Sequence, residues 1–162
     1  MFSLLHARGN DQTNGSALVV ERKLEPAGMQ RMPDTKGLVV IVERGSWQSE
    51  PLALRLRQAG YAVQVVPGRE AALELLEREH PALLIASGEA DLHLYQALRQ
   101  ASPAPLMALT PWRDDKRMLE AFALGVDDYQ TASIGSSEVV ARAAAMVRRS
   151  GTPLEARATS RL

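Results

Sequence analysis

Charged and hydroxyl-bearing side chains follow four short apolar segments of the sequence, where they could meet in one site. These residues are Glu43 and Arg44, Ser87, Thr110 and Thr131, the last of which is followed by Ala132. An arginine beside two hydroxyl groups could bind an anionic small molecule. Ser87 would need a neighbouring base to act as a nucleophile. No histidine follows any of these segments, and Ser87 is not part of a G-x-S-x-G motif, so the sequence does not support that chemistry.

Other catalytic and cofactor-binding motifs are absent from the sequence. It contains no G-x-G-x-x-G and no G-x-x-x-x-G-K-[ST], the loops that bind dinucleotides and phosphates. The absence of cysteine excludes disulfides, thiolate metal sites and a cysteine nucleophile. His6, His80 and His93 are not at the helical spacing of zinc ligands. We therefore expect no enzymatic activity, no cofactor and no metal site.

The composition is that of a globular protein without strong bulk charge. Of the 162 residues, 46% are apolar and 23% are charged, with 19 basic residues against 19 acidic ones. A net charge of zero disfavours nucleic-acid binding by bulk electrostatics. The longest apolar runs are far shorter than the roughly 20 residues of a membrane-spanning helix, and the first residues lack the basic region of a secretory signal. We expect a soluble, cytoplasmic protein with no membrane partner.

Five apolar segments alternate with five amphipathic ones and predict the elements that position the site. The predicted strands are residues 38–42, 61–66, 82–86, 105–110 and 126–131. The predicted helices are residues 50–59, 69–79, 92–100, 114–124 and 137–149. Such alternation is typical of a doubly wound α/β sandwich, in which helices cover both faces of a parallel sheet. Ligands of such sheets bind outside the carboxyl ends of the strands, where the polar residues above are predicted to lie.

Caps and apolar spacing predict how the helices begin, end and pack. Ser49 is the predicted N-cap of the first helix, and Gly60 ends that helix. The side chains of the fourth helix that are predicted to face inward are Leu119, Phe122 and Ala123. The last helix has a predicted apolar stripe of Val140, Ala143, Ala144 and Val147.

The sequence divides into three parts. Residues 1–36 are polar and rich in turn-forming residues, which predicts a flexible or partly ordered extension; an added strand or a docking arm is the alternative. Residues 37–149 form the predicted folded domain. Residues 150–162 have the composition of a basic, linker-like tail.

Two segments in the last third of the folded domain carry a specific motif. One is Pro105-Leu106-Met107-Ala108-Leu109-Thr110, and the other runs from Leu119 to Gly125-Val126-Asp127-Asp128-Tyr129. Together they resemble the strand, helix and G-A-D-D-Y pattern of the receiver domains of two-component response regulators, and the resemblance extends over residues 37–149. The last helix looks like that of the winged-helix transcription-factor subfamily. The resemblance implies a CheY-like, flavodoxin-like (βα)5 fold with sheet order 2-1-3-4-5.

Receivers of this family accept a phosphoryl group on an aspartate after the third strand, beside a Mg²⁺ ion held by an acidic pair. By this resemblance the acceptor position is Ser87, and the acidic pair corresponds to Glu43-Arg44. The family's lysine after the fifth strand corresponds to Ala132. The resemblance therefore implies a degenerate pseudo-receiver, which lacks the acceptor aspartate and signals without phosphorylation.

Three residues of this degenerate pocket have two interpretations. Arg44 is either a surface arginine or a substitute for the metal, paired with one of three carboxylates: Glu43, Asp114 or Asp115. Thr110 and Tyr129 match the family's hydroxyl–aromatic switch. The alternative is that Thr110 caps a turn and that Tyr129 is a half-buried packing residue.

The resemblance also implies a homodimer through the fourth helix, the fifth strand and the fifth helix. The charged residues at matching positions are Asp127, Asp128, Glu138, Arg142 and Arg149. Arg142 and Arg149 are seven residues apart and so share a helix face, about 10 Å apart along the axis. The two aspartates could meet them across a two-fold axis. Met118 replaces a basic residue of the family, so Glu138 lacks a partner unless Arg117 substitutes. The alternative is that all these charges are solvated.

The predicted function is a phosphorylation-independent receiver that acts in signal transduction by contact with a second copy or with a regulatory protein. No winged-helix sequence follows Arg149, so we expect no specific DNA binding by this chain alone. The alternative function is a sensor domain that binds an anionic small molecule in the pocket around Arg44, Ser87 and Thr110.

Overall fold

Five strands and five α-helices alternate along residues 34–151, the part of the chain that the computed structural model describes. The strands are β1 (Leu38–Glu43), β2 (Ala62–Pro67), β3 (Leu83–Ser87), β4 (Leu106–Thr110) and β5 (Asp128–Thr131). The helices are α1 (Glu50–Gln58), α2 (Gly68–Leu76), α3 (Leu92–Ala101), α4 (Asp115–Ala123) and α5 (Ser136–Ser150). A 3₁₀-helix, Ala132–Ile134, joins β5 to α5.

The strands form one parallel sheet in the order β2-β1-β3-β4-β5. All four neighbouring pairs are parallel, so their carboxyl ends share one edge of the sheet. At that edge Glu43 of β1 is in register with Ser87 of β3, and Thr110 of β4 is in register with Thr131 of β5. The doubly wound fold and the sheet order expected from the sequence are confirmed.

Apolar residues on both faces of the central strands build the core. Every residue of β3 and β4 is buried, as are the four inner residues of β1. Side chains of α2, α3 and α4 cover one face of the sheet, and side chains of α1 and α5 cover the other. Burial on two faces explains why these strands read as continuous apolar runs rather than alternating ones.

The predicted orientation of the fourth helix is wrong. Leu119 and Phe122 are 66% and 42% exposed, and Ala123 is exposed as well. The helix instead buries Ala121 and packs the partly buried Met118 against the core. This helix carries two apolar stripes, one residue out of phase, and apolar spacing alone does not show which stripe faces the sheet.

The last helix differs from its prediction in a similar way. Ala143 is buried as expected, but its buried neighbours are Val139 and Met146. Val140 and Val147 pack at the margin of the core and are only partly buried. The buried stripe is therefore rotated slightly from the predicted one.

Two predicted parts of the chain fall largely outside the described residues. Apart from residues 34–36, the predicted extension of residues 1–36 lies there, and so does the predicted tail beyond residue 151. Among the helices of residues 34–151, none combines the length and the apolar character needed to span a bilayer.

Candidate functional site

Ser87 ends β3 at the carboxyl edge of the sheet, and its side chain is enclosed there. The residue is 2% exposed, and its hydroxyl oxygen lies 2.8 Å from that of Ser49. The Ser87 hydroxyl also lies 3.5 Å from the carbonyl oxygen of Val42, which accepts from it. The hydroxyl is therefore bound within the protein, and it does not face solvent.

Ser49 occupies the N-cap position of α1, as predicted, but its side chain does not cap the helix. Its hydroxyl is hydrogen-bonded to Ser87 instead, and Ser49 itself is 1% exposed. Glu43 lies at the start of α1 instead, and its carboxylate accepts a hydrogen bond from the backbone N–H of Ser49 at 2.5 Å. A carboxylate at a helix N-terminus is favourably placed against the helix dipole.

Arg44 follows β1 and forms an ion pair with Asp91. None of the three predicted partners of Arg44 forms this pair. Glu43 accepts from the backbone of Ser49, as described above, and the other two carboxylates are paired with nearby arginines, Asp114 with Arg117 and Asp115 with Arg113. The side chain of Arg44 is 46% exposed, so it lies at the surface while making the ion pair.

Asp91 is the N-cap of α3 and connects that helix to the loop after β1. One carboxylate oxygen accepts from the backbone N–H groups of His93 and Leu94, at 3.1 and 3.2 Å. The other oxygen faces Arg44. The sequence analysis missed Asp91, although an aspartate directly before an apolar helical segment is a recognisable cap signal.

The side chains at this edge do not fit a magnesium site. Arg44 brings a guanidinium to this edge, and Ser87 brings a neutral hydroxyl. Across residues 34–151 no three acidic, histidine or cysteine side chains are grouped closely enough to hold a metal ion. Mg²⁺ prefers carboxylate oxygens in near-octahedral geometry, which this set of side chains does not supply.

Thr110 ends β4 and is 2% exposed. Its hydroxyl donates to the carbonyl oxygen of Trp112 at 2.9 Å and lies 3.4 Å from that of Gln130. In this geometry the threonine closes the turn after β4, as the capping alternative expects. Ala132 is exposed at the start of the 3₁₀-helix and brings no charge to the edge.

Tyr129 of β5 is buried rather than half-buried, at 6% exposure. Its hydroxyl has no hydrogen-bond partner among residues 34–151, which is unusual for a buried polar atom. Tyr95 of α3, which the sequence analysis missed, is 1% exposed. Burial, and next the neighbouring Tyr129, raise the pKa of Tyr95 above its ordinary value. Two tyrosines therefore lie close together behind the carboxyl edge.

The pocket predicted around Arg44, Ser87 and Thr110 is not a single cavity. Arg44 lines an open cleft of about 360 Å³, whereas Thr110 lines a separate cavity of about 110 Å³. Ser87 lines neither of them. The hydroxyl groups of Ser87 and Thr110 are buried, so they cannot contact one ligand together with Arg44.

Three of the charged residues predicted for a dimer are brought together within one chain. Arg142 of α5 donates to Glu138 at 2.8 Å and lies 3.7 Å from Asp128 of β5. The hydrogen bond to Glu138 raises the pKa of Arg142. Glu138 thus has an in-chain partner, and Arg117 is not that partner, because it pairs with Asp114.

Within residues 34–151, Asp127 and Arg149 form no ion pair with that trio, although Asp127 directly precedes Asp128 at the amino end of β5. The Asp127 carboxylate accepts from the backbone N–H of Leu106 at 2.9 Å and pairs with Arg99 at 3.3 Å. Arg149 is exposed near the end of α5 and lines a cavity that Arg99 and Asp127 also line. Asp127 therefore helps to hold the start of β4 in place.

Arg99 is a structural residue that the sequence analysis missed. Its guanidinium donates to the carbonyl oxygens of Gly125 at 3.1 Å and Ser102 at 2.8 Å, and also to that of Ala104. Gly125 has φ +99°, and a Cβ atom there would lie 2.5 Å from the Arg99 side chain. One arginine thus joins the loop before β4 to the loop before β5.

Curated relatives resemble the chain over about two thirds of its length. It is 31% identical over 117 residues to the sensory transduction protein RegX3 of Mycobacterium tuberculosis, a match covering 70% of this chain and 52% of that protein. It is 31% identical over 106 residues to the probable transcriptional regulator ycf27 of Cyanophora paradoxa, covering 63% and 44%. The chain thus spans about half the length of the curated relatives it matches. No family model matches the sequence.

Solved structures share the fold at low sequence identity. A two-component response regulator from Clostridium difficile superposes with a TM-score of 0.65 at 18% identity, over 71% of this chain and 98% of that one. The receiver domain of the Francisella response regulator 1452 gives 0.63 at 17% identity, over 70% and 98%. Both similarities extend over nearly the whole of the solved chains.

Proposed function

We propose that residues 34–151 are a CheY-like receiver domain of the response-regulator family, and that this domain is a pseudo-receiver, which transmits signals without aspartyl phosphorylation. The relatives at 31% identity and the fold shared with solved response regulators support the family. One observation carries the proposal. Ser87, which the resemblance places at the acceptor position, is 2% exposed and has its hydroxyl bound to Ser49. An acceptor must reach the phosphoryl donor in line, and this side chain is both enclosed and chemically unsuited to form an acyl phosphate.

The electrostatics of the loop after β1 support the same proposal. Arg44 places a fixed positive charge where a receiver's metal site needs a second carboxylate, and Asp91 compensates that charge. A guanidinium in place of a carboxylate leaves Mg²⁺ without an oxygen ligand of the kind that it prefers. The Arg44–Asp91 pair also links the loop after β1 to the start of α3, so the edge is held in one arrangement without a phosphoryl group.

The output that we propose is self-association through α4, β5 and α5. Leu119 and Phe122 are large apolar side chains exposed on α4. Beside this element, Arg142 with its two acidic neighbours bridges β5 and α5. An apolar patch flanked by charges of both signs suits a self-complementary two-fold contact.

We propose that the dimer contact through α4, β5 and α5 acts in signal-dependent regulation. Relatives of the chain include a sensory transduction protein and a probable transcriptional regulator. A receiver that dimerises constitutively would hold a regulatory assembly together, either with a second copy or with a regulatory protein. Binding of an anionic molecule in the predicted pocket gains less support, because Asp91 already neutralises Arg44 and the two hydroxyl groups are buried.

A phosphoryl analogue tests the proposal. Beryllium fluoride with Mg²⁺ is added to the ¹⁵N-labelled chain, and amide resonances around Ser87 and Thr110 are followed. We expect no shifts beyond those caused by Mg²⁺ alone. A receiver domain with its acceptor aspartate intact, treated in parallel, serves as the positive control. Saturable shifts at Ser87, Thr110 and Tyr129 in this chain would show a functional acceptor pocket and overturn the proposal.

A further inference from the structure

A second feature of the carboxyl edge is an open cleft that the receiver function does not use. Its volume is about 360 Å³, within the range of small-molecule sites. The loops after β1, β3 and β4 form its walls. The lining residues used below are Arg44, Trp47, Glu89, Pro111 and Trp112.

Aromatic surface dominates the cleft. The chain has two tryptophans, and both line this one cavity. Trp112 is 60% exposed, which leaves most of a large indole uncovered. Exposed indole faces attract planar rings by stacking, and tryptophan is also the strongest side-chain partner for organic cations.

The charges of the cleft favour a cationic occupant over an anionic one. Arg44 is already paired with Asp91, so it contributes little net positive charge. Glu89 is exposed, and its carboxylate has no hydrogen bond or ion pair within residues 34–151. The two neighbouring arginines of the loop after β4, Arg113 and Arg117, are each paired with an aspartate. The net charge facing the cleft is therefore negative.

We propose that this cleft binds a planar aromatic cation. Its ring stacks on Trp112 and contacts Trp47, and its positive charge faces Glu89. The site itself stands whether or not the domain is a pseudo-receiver, because it uses neither Ser87 nor a metal.

Three matched probes test the class of ligand. Proflavine is a planar aromatic cation with amino substituents, acridine at neutral pH is its uncharged counterpart, and acridine-9-carboxylate is an anion of similar shape. Binding to the full chain is measured by calorimetry and by quenching of tryptophan fluorescence, which reports on the cleft because both tryptophans line it. We expect saturable proflavine binding and at least about tenfold weaker binding of the anion. Absence of saturable proflavine binding, or equal or tighter binding of the anion, would overturn the proposal.

Substitutions locate the site. Trp112→Leu is expected to weaken proflavine binding about tenfold, the size of one stacking interaction. Glu89→Gln should weaken proflavine binding and reduce the preference for proflavine over neutral acridine. The matched controls are Glu77→Gln and Leu54→Ala, which change an exposed charge and an exposed apolar side chain on other elements. Parent-like binding by the Trp112→Leu and Glu89→Gln variants would place the probe elsewhere and refute the site.

Discussion

The hydroxyl oxygens of Ser49 and Ser87 lie 2.8 Å apart, and both residues are almost fully buried. This hydrogen bond joins the start of α1 to the end of β3. Each hydroxyl is hydrogen-bonded to the other, so neither is available to a ligand. In the proposed pseudo-receiver, this structural hydrogen bond lies where an acceptor aspartate would be phosphorylated.

Removing one member of this pair should destabilise the domain. Ser49→Ala leaves the Ser87 hydroxyl buried without its best partner, which costs about 1–3 kcal/mol of unfolding free energy. The double variant Ser49→Ala/Ser87→Ala should lose less than the sum of the two single variants, because no unpaired hydroxyl then remains. Urea denaturation of the four proteins gives the coupling energy.

The control for this cycle is Ser137→Ala, an exposed serine in the first turn of α5. Its effect on the free energy of unfolding should stay within about 0.5 kcal/mol. Strict additivity of the Ser49 and Ser87 substitutions would show that the two hydroxyl groups do not interact.

The fold and the candidate site differ in how far the sequence predicts them. Buried strands and short loops specify the sheet order, because parallel strands joined by helices have few allowed topologies. The residue types on which the proposed pseudo-receiver rests, at Ser87, Arg44 and Ala132, are visible in the sequence. The partners of Ser87 and Arg44 are not, since Ser49 and Asp91 come from other loops and only the folded chain brings them close.

The buried face of α4 and the long-range hydrogen bonds of Arg99 are the features that the sequence predicts least well. Leu119 and Met118 are both apolar and adjacent in sequence, and the packing against β4 and β5 decides which one faces the core. Arg99 looks like any surface arginine in sequence. Its role comes from carbonyl oxygens of two loops that converge on it in the fold.

Arg99 should contribute strongly to stability. Arg99→Ala removes hydrogen bonds to the loops before β4 and β5 and leaves their carbonyl oxygens less well satisfied, so we expect a loss of about 2 kcal/mol or more in unfolding free energy. Arg99→Lys should recover little of this unfolding free energy, because a lysine ammonium cannot reproduce the planar set of donors of a guanidinium. Arg78→Ala, which removes an exposed arginine 3.9 Å from Glu74, is the control and should be nearly neutral. Equal stability of the Arg99→Ala and Arg78→Ala variants would show that the hydrogen bonds of Arg99 to the two loops do not stabilise the domain.

Tyr95 should make the domain sensitive to alkaline pH. Its pKa in the folded state is raised above the ordinary value of 10.0, mainly by burial. The unfolded chain therefore loses this proton first as the pH rises, so stability is retained below pH 10.0 and falls above it. Urea midpoints measured across this pH should fall less steeply for Tyr95→Phe than for the parent. Parallel pH profiles of the two proteins would show that Tyr95 does not contribute.

The proposed dimer should depend on the sign of the charges on α5 and β5. Arg142→Glu places a third acidic group beside Glu138 and Asp128 and should shift the protein towards monomer. Adding Asp128→Arg restores opposite signs, within one chain and across a two-fold axis, and should recover the dimer. Sedimentation velocity measures both variants, and added salt should weaken the parent dimer.

The apolar patch on α4 provides an independent test of the same contact. Phe122→Ser should weaken the dimer, because it removes an exposed aromatic side chain from the centre of the proposed interface. Leu54→Ser, which alters an exposed leucine on α1, is the matched control and should leave the dimer unchanged. A parent protein that stays monomeric at high concentration would contradict the contact outright.

Intact-mass spectrometry after incubation with acetyl phosphate and Mg²⁺ tests directly whether this domain accepts a phosphoryl group. A receiver domain that retains its acceptor aspartate is treated in the same tube and must gain a phosphoryl group for the experiment to count. We expect this chain to keep its unmodified mass while the control is modified. A phosphoryl adduct mapped to Ser87, or to a carboxylate at the carboxyl edge of the sheet, would show that the domain is not a phosphorylation-independent pseudo-receiver.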